Sequence, residues 1–362
     1  MVKTIPLKQC QSSPIQPLAK LSAFAISASL FASGCAPQVN NNNATNNANT
    51  TTPTTAASPT TAIKTDSPAP SATGIKLRIG FQKSATILFS LKGKGTLETV
   101  FQGKGGSVTW SEFPAGLPMV EALNAGAIDV AYVGEAPPVF AQAAKGSTVR
   151  YIAYDPYGVE AEGIVVHKDS PIQTLADLKG KKLAVQKGSN AHYLSVKAIE
   201  SAGLQVSDVE ISFVKPSDGR AAFEKKNIDA WAVWDPFLAA VEVDTGARVL
   251  TSAKGLAPNR GYYLASKEFI EKNPEIIKTF LNELKKESEY AKANPAEIAK
   301  FLSPSLGVDA AILEKAEKRR DYGIFPLTEE VISKQQDIAD TFAKLKLIPQ
   351  PIVVKEAVWD WK

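Results

Sequence analysis

The sequence predicts an α/β fold made of two lobes, with a crevice between them. Short apolar segments typical of strands alternate with helical segments, and this alternation indicates α/β layers with mainly parallel sheets. The region that can fold, about residues 75–362, is large for one hydrophobic core. One helix–turn–strand pattern also occurs twice, with an offset of 100 residues. We therefore expect one such unit in each lobe.

The individual elements follow from the apolar pattern. Apolar residues alternate in "IKLRIGFQK" (75–83), which predicts the first strand. The other predicted strands are Val108–Glu112, Ile128–Val133, Arg150–Tyr154, Gly163–His167, Lys182–Gln186, Val209–Val214, Ile228–Trp234, Ala247–Leu250 and Tyr262–Ala265. After about residue 268 the pattern is helical, with helix starts expected at Pro274, Pro295 and Thr328. Proline suits the first helical position because the N–H there has no intrahelical partner.

The repeated unit consists of "EALNAGAIDVAYVGEAPP" (Glu121–Pro138) and "AAFEKKNIDAWAVWDPF" (Ala221–Phe237). Each copy has a helical segment, an Ile-Asp pair, a short strand and then an acid, Glu135 or Asp235, with proline after it. Open α/β sheets bind ligands where strands end, so both strands are expected to end at a common crevice. The alternative is chance similarity, because such units are common in α/β proteins.

The charge balance argues against a nucleic-acid-binding surface. The formal net charge is +4, and Lys3, Lys8 and Lys20 precede the first acid, Asp66. Subtracting these three lysines leaves about +1 from residue 35 onward. Neither this balance nor any Lys/Arg-rich cluster indicates a polybasic partner surface. The hydrophobic fraction of 44% is that of an ordinary globular protein.

Cysteine and histidine are too scarce for several kinds of chemistry. The two cysteines, Cys10 and Cys35, precede the foldable region, which excludes disulfides, thiolate zinc sites and a catalytic thiol there. The two histidines are His167 and His192, too few for a His-rich metal site. We expect no catalytic residues, no metal and no cofactor.

The N-terminus has the features of an export signal. Basic residues are followed by the 14-residue apolar segment "LSAFAISASLFASG" (21–34), which is too short to span a bilayer. We assign residues 1–34 to a signal peptide. Small residues before Cys35 resemble a bacterial lipobox, in which this cysteine becomes lipidated, although Ala32 stands where leucine is usual. The alternative is ordinary cleavage that releases a soluble product.

Residues 35–74 form a tether rich in asparagine, threonine and proline. This composition cannot bury enough apolar surface to fold, so we expect the segment to be disordered. A disordered spacer after a lipidated cysteine suits a membrane-anchored domain, and a free protein would tolerate it too. The expected location is the periplasm, with or without the lipid anchor.

Five segments of the foldable region resemble the aliphatic sulfonate-binding proteins of ABC importers. They are "LRIGFQKS", "WSEFPAGLPMVEALNAGAIDVAYVGEAPPVFAQAAKG", "IQTLADLKGKKLAVQKGSNAHYL", "GRAAFEKKNIDAWAVWDPF" and "GYYLASKEFIEKNP". As an ordered set they cover nearly all of residues 75–362. The sequence departs from the family where Gly134-Glu135 replaces a common Gly-Asp pair.

The resemblance implies a periplasmic-binding-protein fold of type II, in which two lobes close on a ligand. Lobe 1 would comprise residues 75–162 and 258–362, and lobe 2 residues 163–257. The implied function is capture of an aliphatic sulfonate for sulfur acquisition, as a monomer, and its delivery to an ABC permease in the inner membrane. Alternatives are another small anion, such as taurine or nitrate, or an enzyme related to thiamine-pyrimidine synthesis. The enzyme is disfavoured because such enzymes use a Cys-rich loop, and residues 75–362 contain no cysteine.

A sulfonate site needs hydrogen-bond donors and positive potential, which helix N-termini supply. The loop "KGSNAH" (187–192) follows a strand and begins a helix. Gly188 would let an anion approach the backbone closely, and Ser189 would cap the helix or donate its hydroxyl to the anion. The alternative is a plain helix cap. The full set of candidate ligand-binding residues is Gln82, Lys83, Gly134, Glu135, Ala136, Gly188, Ser189, Asn190, Ala191, Arg220, Trp234 and Asp235.

Three of these candidates have competing interpretations. Arg220 would clamp the anion with two hydrogen bonds, or it is a surface arginine in the first turn of a helix. Trp234 would cover the organic tail, or it belongs to the core. Glu135 would repel a sulfonate unless it is paired, turned away, facing a cationic part of the ligand, or holding a loop N–H.

Overall fold

Two five-stranded sheets form the framework of the computed structural model, which describes residues 74–360. The strands are β1 (Lys76–Phe81), β2 (Ser107–Glu112), β3 (Val130–Gly134), β4 (Val149–Asp155), β5 (Glu162–Val166), β6 (Lys182–Val185), β7 (Glu210–Phe213), β8 (Ala230–Trp234), β9 (Arg248–Ser252) and β10 (Gly261–Ser266). Their orders are β2-β1-β3-β10-β4 and β7-β6-β8-β5-β9. Within the part described, one strand of each sheet, β10 or β5, runs opposite to the other four. The predicted α/β fold with mainly parallel sheets is therefore confirmed.

Helices cover the faces of both sheets. They are α1 (Thr86–Lys94), α2 (Thr96–Gln102), α3 (Gly116–Asn124), α4 (Ala136–Ala143), α5 (Asn190–Ser201), α6 (Pro216–Glu224), α7 (Phe237–Thr245), α8 (Lys267–Lys272), α9 (Pro274–Ala293), α10 (Pro295–Leu306), α11 (Ala310–Glu317) and α12 (Glu329–Lys344). The three predicted helix starts are confirmed, and the hydroxyl of Thr328 accepts the N–H of Val331 as a cap. Among these helices, none is long and apolar enough to cross a bilayer.

The chain passes from the first sheet to the second after β4 and returns after β9. The first lobe therefore combines the early strands with β10 and the C-terminal helices, and the second lobe is built from the middle of the chain. Both passages lie near the expected lobe boundaries at 162/163 and 257/258, which stay predictions. The signal peptide, Cys35 and nearly all of the tether lie outside the described residues and also stay predictions.

The internal repeat has a structural counterpart. The units α3–β3 and α6–β8 place their strands at the centre of the two sheets, each third in the order. Asp129 accepts the backbone N–H of Arg78 in β1 at 2.8 Å. Asp229 accepts the backbone N–H of Lys182 in β6 at 2.8 Å. The same hydrogen bond thus occurs at the same place in both lobes, as the repeat predicts.

The two central strands are buried on both faces. Every residue of β8 is buried, and so are the first four residues of β3, because helices cover both sides of each sheet. The strands end at Gly134 and Trp234, and an acid, Glu135 or Asp235, follows each strand just before a helix begins. The apolar core of each lobe therefore fixes the position of one of these strand ends.

Candidate functional site

A cavity lies between the lobes, where β3 and β8 end, with about 390 Å³ of empty space including its mouth. Both lobes contribute to its wall. The lining residues are Gln82, Ser84, Gly116, Tyr132, Gly134, Pro137, Tyr157, Glu162, Ser189, Asn190, Trp234, Asn259, Arg260 and Gly261. This is the position at which open α/β sheets bind ligands. In residues 74–360, no cluster of three or more His, Cys, Asp or Glu side chains is placed to hold a metal ion.

The helix α5 begins at the cavity with a complete side-chain cap. The Ser189 hydroxyl accepts the N–H of His192 at 3.1 Å and donates to the carbonyl of Gln186 at 2.7 Å. The hydroxyl therefore donates its proton to a protein atom and already accepts one protein N–H. Ser189 and Asn190 nevertheless line the cavity, so the backbone donors of the first turn lie beside it. The helix cap and the proposed anion site are compatible.

Gly188 lies in the turn before α5, close to side chains of the first lobe. Its φ of +67° is in the left-handed region, where residues with a Cβ are strained. A Cβ there would lie 3.2 Å from Leu117 and 3.3 Å from Phe140, two side chains of the first lobe. Gly188 is not a lining residue, and neither is the buried Ala191. In this structure the glycine serves the turn and the contact between the lobes.

Asn190 connects the two lobes across the cavity. Its side-chain oxygen accepts the N–H of Ala136 at 3.1 Å, and its amide nitrogen donates to the side-chain oxygen of Asn259 at 3.1 Å. A Cβ on Gly134 would lie 2.2 Å from the Asn190 oxygen, so this approach requires glycine. The N-terminus of α4, which was predicted to face the ligand, is therefore occupied by a side chain from α5.

Glu135 is turned away from the cavity and holds a loop. Its carboxylate accepts the N–H of Asn259 at 3.1 Å and that of Arg260 at 2.9 Å. Burial raises the pKa of Glu135 to about 7, and the two backbone N–H groups oppose this rise. Of the interpretations considered for this residue, the structure shows the one in which the carboxylate binds loop N–H groups.

Arg260 is the arginine that reaches the cavity. Its side chain is 17% exposed, and Nη2 donates to Glu330 at 3.3 Å. Its Nη1 is buried and has no hydrogen-bond partner in the described structure. A guanidinium with a free donor at a cavity wall suits an anion with several acceptor oxygens. Sequence analysis missed this residue, which stands just before β10 in "NRGYYL", next to a segment that carried the family resemblance.

Arg220 does not reach the cavity, which corrects the predicted clamp. It lies in α6 and pairs with Glu224 one helical turn away, and with Asp244 at 2.9 Å. These two carboxylates satisfy the guanidinium on the surface of the second lobe. The surface interpretation is the one that the structure supports.

Lys83 and Asp235 also lie outside the lining set. Lys83 donates to the carbonyl of Leu306 at 3.1 Å, and Asp235 accepts the N–H of Ala239 at 2.8 Å. Both line a smaller neighbouring pocket, together with Arg320. Burial raises the pKa of Asp235 to about 7. Their predicted contact with the ligand has no support in this geometry.

Aromatic side chains form the apolar part of the wall. Trp234 is 8% exposed and lines the cavity, so it is both buried and available to a ligand. Tyr157 donates its hydroxyl to the carbonyl of Asp235 at 3.1 Å, and Tyr132 donates to Asp155 at 2.9 Å. These hydrogen bonds fix the two rings, which sequence analysis did not identify. Gln82 lines the cavity with a buried side-chain oxygen that has no partner among the described residues.

Glu162 is a further lining residue that sequence analysis missed. It is the first residue of β5, it is fully buried, and neither carboxyl oxygen has a hydrogen-bond partner within residues 74–360. Burial, together with the nearby Glu135, raises its pKa well above the ordinary glutamate value. An acid at the start of a strand carries no periodic signal, so only the assembled cavity identifies it.

The structure thus brings five of the predicted residues into the cavity wall. They are Gln82, Gly134, Ser189, Asn190 and Trp234. The others are Lys83, Glu135, Ala136, Gly188, Ala191, Arg220 and Asp235, none of which lines it. That the five bind a ligand stays a prediction.

Known proteins resemble this chain over most of its length. The family described as NMT1/THI5 like matches residues 93–298. The crystal structure of the periplasmic aliphatic sulphonate binding protein SsuA from Escherichia coli is 36% identical with a TM-score of 0.73, and the match covers 79% of this chain and 92% of that one. The alkanesulfonate-binding protein SsuA from Xanthomonas axonopodis pv. citri, bound to MOPS, is 36% identical with a TM-score of 0.74, over 78% and 98% of the two chains.

A relative in Bacillus subtilis (strain 168), named for aliphatic sulfonates, is 33% identical over 284 residues, which are 78% of this chain and 85% of the relative. The likeness to the SsuA structures confirms the periplasmic-binding-protein fold that the resemblance implied.

Proposed function

We infer the function from the premise that this chain belongs to the NMT1/THI5-like family, together with the aliphatic sulfonate-binding proteins. We propose that it captures an aliphatic sulfonate outside the cytoplasm and delivers it to the permease of an ABC importer. The observation that carries the proposal is that Arg260 lines the cavity between the lobes and has a buried Nη1 without a hydrogen-bond partner among the described residues. The N-terminus of α5 lines the same cavity through Ser189 and Asn190, so a positive charge and a helix dipole both favour an anion there.

The cavity matches the two parts of an alkanesulfonate. The sulfonate group stays ionised at physiological pH and offers three acceptor oxygens. Arg260 and the first turn of α5 supply donors for them, with Gln82 at the same wall. The ring of Trp234 offers an apolar surface for the alkyl chain. In this proposal Arg260 takes the role first assigned to Arg220.

Closure of the lobes would retain the ligand. Besides Asn190, the helices α7 and α11 hold the lobes together on one flank of the cavity. Glu242 of α7 binds Lys315 at 3.3 Å and also pairs with Arg319, just after α11. The transport partner would act on this closed, loaded form, and no reaction at the cavity is required. The only cysteines of the sequence are Cys10 and Cys35, which argues against an enzyme with a Cys-rich loop.

Calorimetric titration of the exported chain tests the function. Alkanesulfonates of increasing chain length, taurine, nitrate and sulfate are compared at one pH and one salt concentration. We expect alkanesulfonates to bind more tightly than nitrate or sulfate, because only they use both parts of the cavity. Tight binding of nitrate, with none of any sulfonate, would contradict the proposal.

The lipid anchor at Cys35 is a separate proposal, supported by the apolar segment before it and the tether after it. Replacing Cys35 by alanine should move the exported protein from the membrane fraction to the soluble periplasm. If the unmodified chain is already fully soluble after export, residues 1–34 are an ordinary signal peptide.

A further inference from the structure

Glu162 is the one lining carboxyl of the cavity as described, and it stands without a protein partner. Its side chain is fully buried, and both oxygens lack hydrogen bonds within residues 74–360. Across the sheet its neighbour is Trp234, which also lines the cavity. The group is thus aimed at the place where the proposed ligand would bind. A buried polar group left unpaired is costly, so this one requires an explanation.

The surroundings of Glu162 disfavour its ionised form. Glu135, at the start of α4, repels a negative charge there, and burial adds to the effect. Tyr157, from the passage before β5, is held neutral because burial raises its pKa well above the usual tyrosine value. Asp235, which follows β8, adds no positive charge. Ser189 and Asn190, at the start of α5, are uncharged, so they do not stabilise an ionised Glu162 by charge.

The cation that faces the cavity is Arg260, whose Nη2 binds Glu330 and whose backbone N–H binds Glu135. No salt bridge to Glu162 is formed by Arg260 or by any other described residue. An ionised Glu162 beside a sulfonate would therefore place two acceptor-only anions together. A neutral carboxyl group, in contrast, has one O–H to donate.

We propose that Glu162 is a ligand-binding residue that enters the sulfonate complex as a neutral carboxylic acid and donates its O–H to a sulfonate oxygen. The inference rests on the proposed function, because it assigns a donor to the same site. It predicts that sulfonate binding is coupled to protonation of this residue. The sulfonate itself does not titrate in the neutral range, so the coupling belongs to the protein.

The sign of the coupling follows from linkage. Glu162 is neutral at low pH and loses its proton as the pH rises, and the anion favours the neutral form. Binding should therefore take up a proton near and above the pKa of the free protein. The affinity should fall by up to about tenfold per pH unit above that pKa. Glu135 titrates near pH 7 with the same sign, so a variant must separate the two groups.

Titration calorimetry with propane-1-sulfonate at about pH 5.5, 7 and 8.5 tests the proposal. Each titration is repeated in two sulfonate-free buffers of different ionisation enthalpy, which reports the protons exchanged. Glu162→Gln keeps a neutral hydrogen-bond donor, so it should bind at high pH at least as tightly as the unmodified chain, with less proton uptake. Glu160→Gln is the matched control, since the Glu160 side chain is 52% exposed, and it should behave like the unmodified chain.

The proton count of the unmodified chain tests the proposal even if Glu162→Gln fails to fold. Affinity that does not change with pH, without proton uptake, would overturn it. So would tighter binding of 3-aminopropane-1-sulfonate with release of a proton, because that result means that an ionised Glu162 pairs with the ammonium group. In both cases sulfonate binding itself stands. If the unmodified chain binds no sulfonate at any pH, the proposed function fails, and this inference fails with it.

Discussion

The side-chain oxygen of Asn190 accepts the backbone N–H of Ala136 at 3.1 Å, and this hydrogen bond joins the first residue of α5 to the first residue of α4. Two helix N-termini from different lobes thus meet at the cavity. The asparagine amide is neutral, so it fills one of them without adding a charge that would repel an anion. The donors left for a ligand come from α5 and from Arg260, and the Asn190 contact forms only when the lobes are together.

Gly134→Ala should weaken sulfonate binding because its Cβ would lie 2.2 Å from the Asn190 oxygen and would displace that side chain. Asn190→Ala should weaken binding as well, by removing the hydrogen bond between the lobes. In the double variant the clash is gone, so Gly134→Ala should have little further effect. A double-mutant cycle by titration calorimetry measures this coupling. Additive losses would mean that the two residues act independently.

Arg260→Gln should reduce sulfonate affinity by about tenfold or more, since a hydrogen bond from a charged group contributes roughly 1.5–3 kcal/mol. Arg260→Lys should also lose affinity, because it keeps the charge but not the planar fork. Arg220→Gln is the matched control and should bind normally, because Arg220 pairs with Glu224 and Asp244 on the surface. Calorimetric titration measures these affinities. A larger loss in Arg220→Gln than in Arg260→Gln would show that Arg220 binds the sulfonate.

Gly188→Ala should weaken binding more than Gly180→Ala. Both glycines have positive φ, +67° and +70°, so both variants carry similar backbone strain. A Cβ at position 180 meets nothing within 4 Å, whereas one at 188 lies 3.2 Å from Leu117 in the other lobe. The difference between the two variants in calorimetric affinity, with thermal unfolding as the control, isolates the contact between the lobes. Equal affinities would show that Gly188 serves only its turn.

Asp235→Asn should make the free energy of unfolding less dependent on pH. Burial raises the folded-state pKa of Asp235 from 3.8 to about 7. Such a group favours the folded state below its unfolded pKa, and that stability is lost as the pH rises through about 7. Since one pKa unit corresponds to about 1.4 kcal/mol, the effect is on the order of a few kcal/mol.

Denaturant unfolding between about pH 4.5 and 8 measures this slope. Asparagine keeps the oxygen that accepts the N–H of Ala239, so the variant preserves that hydrogen bond. The exposed Asp169→Asn is the control and should leave the slope unchanged. An unaltered slope in Asp235→Asn would show that the carboxyl is ionised in the folded chain throughout this range.

The sequence by itself determined the local elements and the repeat. Alternating apolar residues predicted β1, and short apolar segments predicted the other strands. A strand with one buried face shows a period of two, whereas a strand buried on both faces is a short apolar run. Proline after asparagine predicted the starts of α9 and α10, because the first helical N–H needs no partner. The repeat matched Asp129 with Asp229 at an offset of 100 residues, and in the structure each binds a backbone N–H within its own lobe.

Only the tertiary structure decided which side chains meet in the cavity. Glu135 binds N–H groups 124 and 125 residues away, and Asn190 binds Ala136 at a separation of 54. Arg220 pairs with two carboxylates on a helix surface, whereas Arg260 lines the cavity and keeps a buried donor without a partner. The local pattern cannot place Arg260 in the cavity, because the cavity wall is made of residues from distant parts of the chain, and only the packing of the two lobes brings them together.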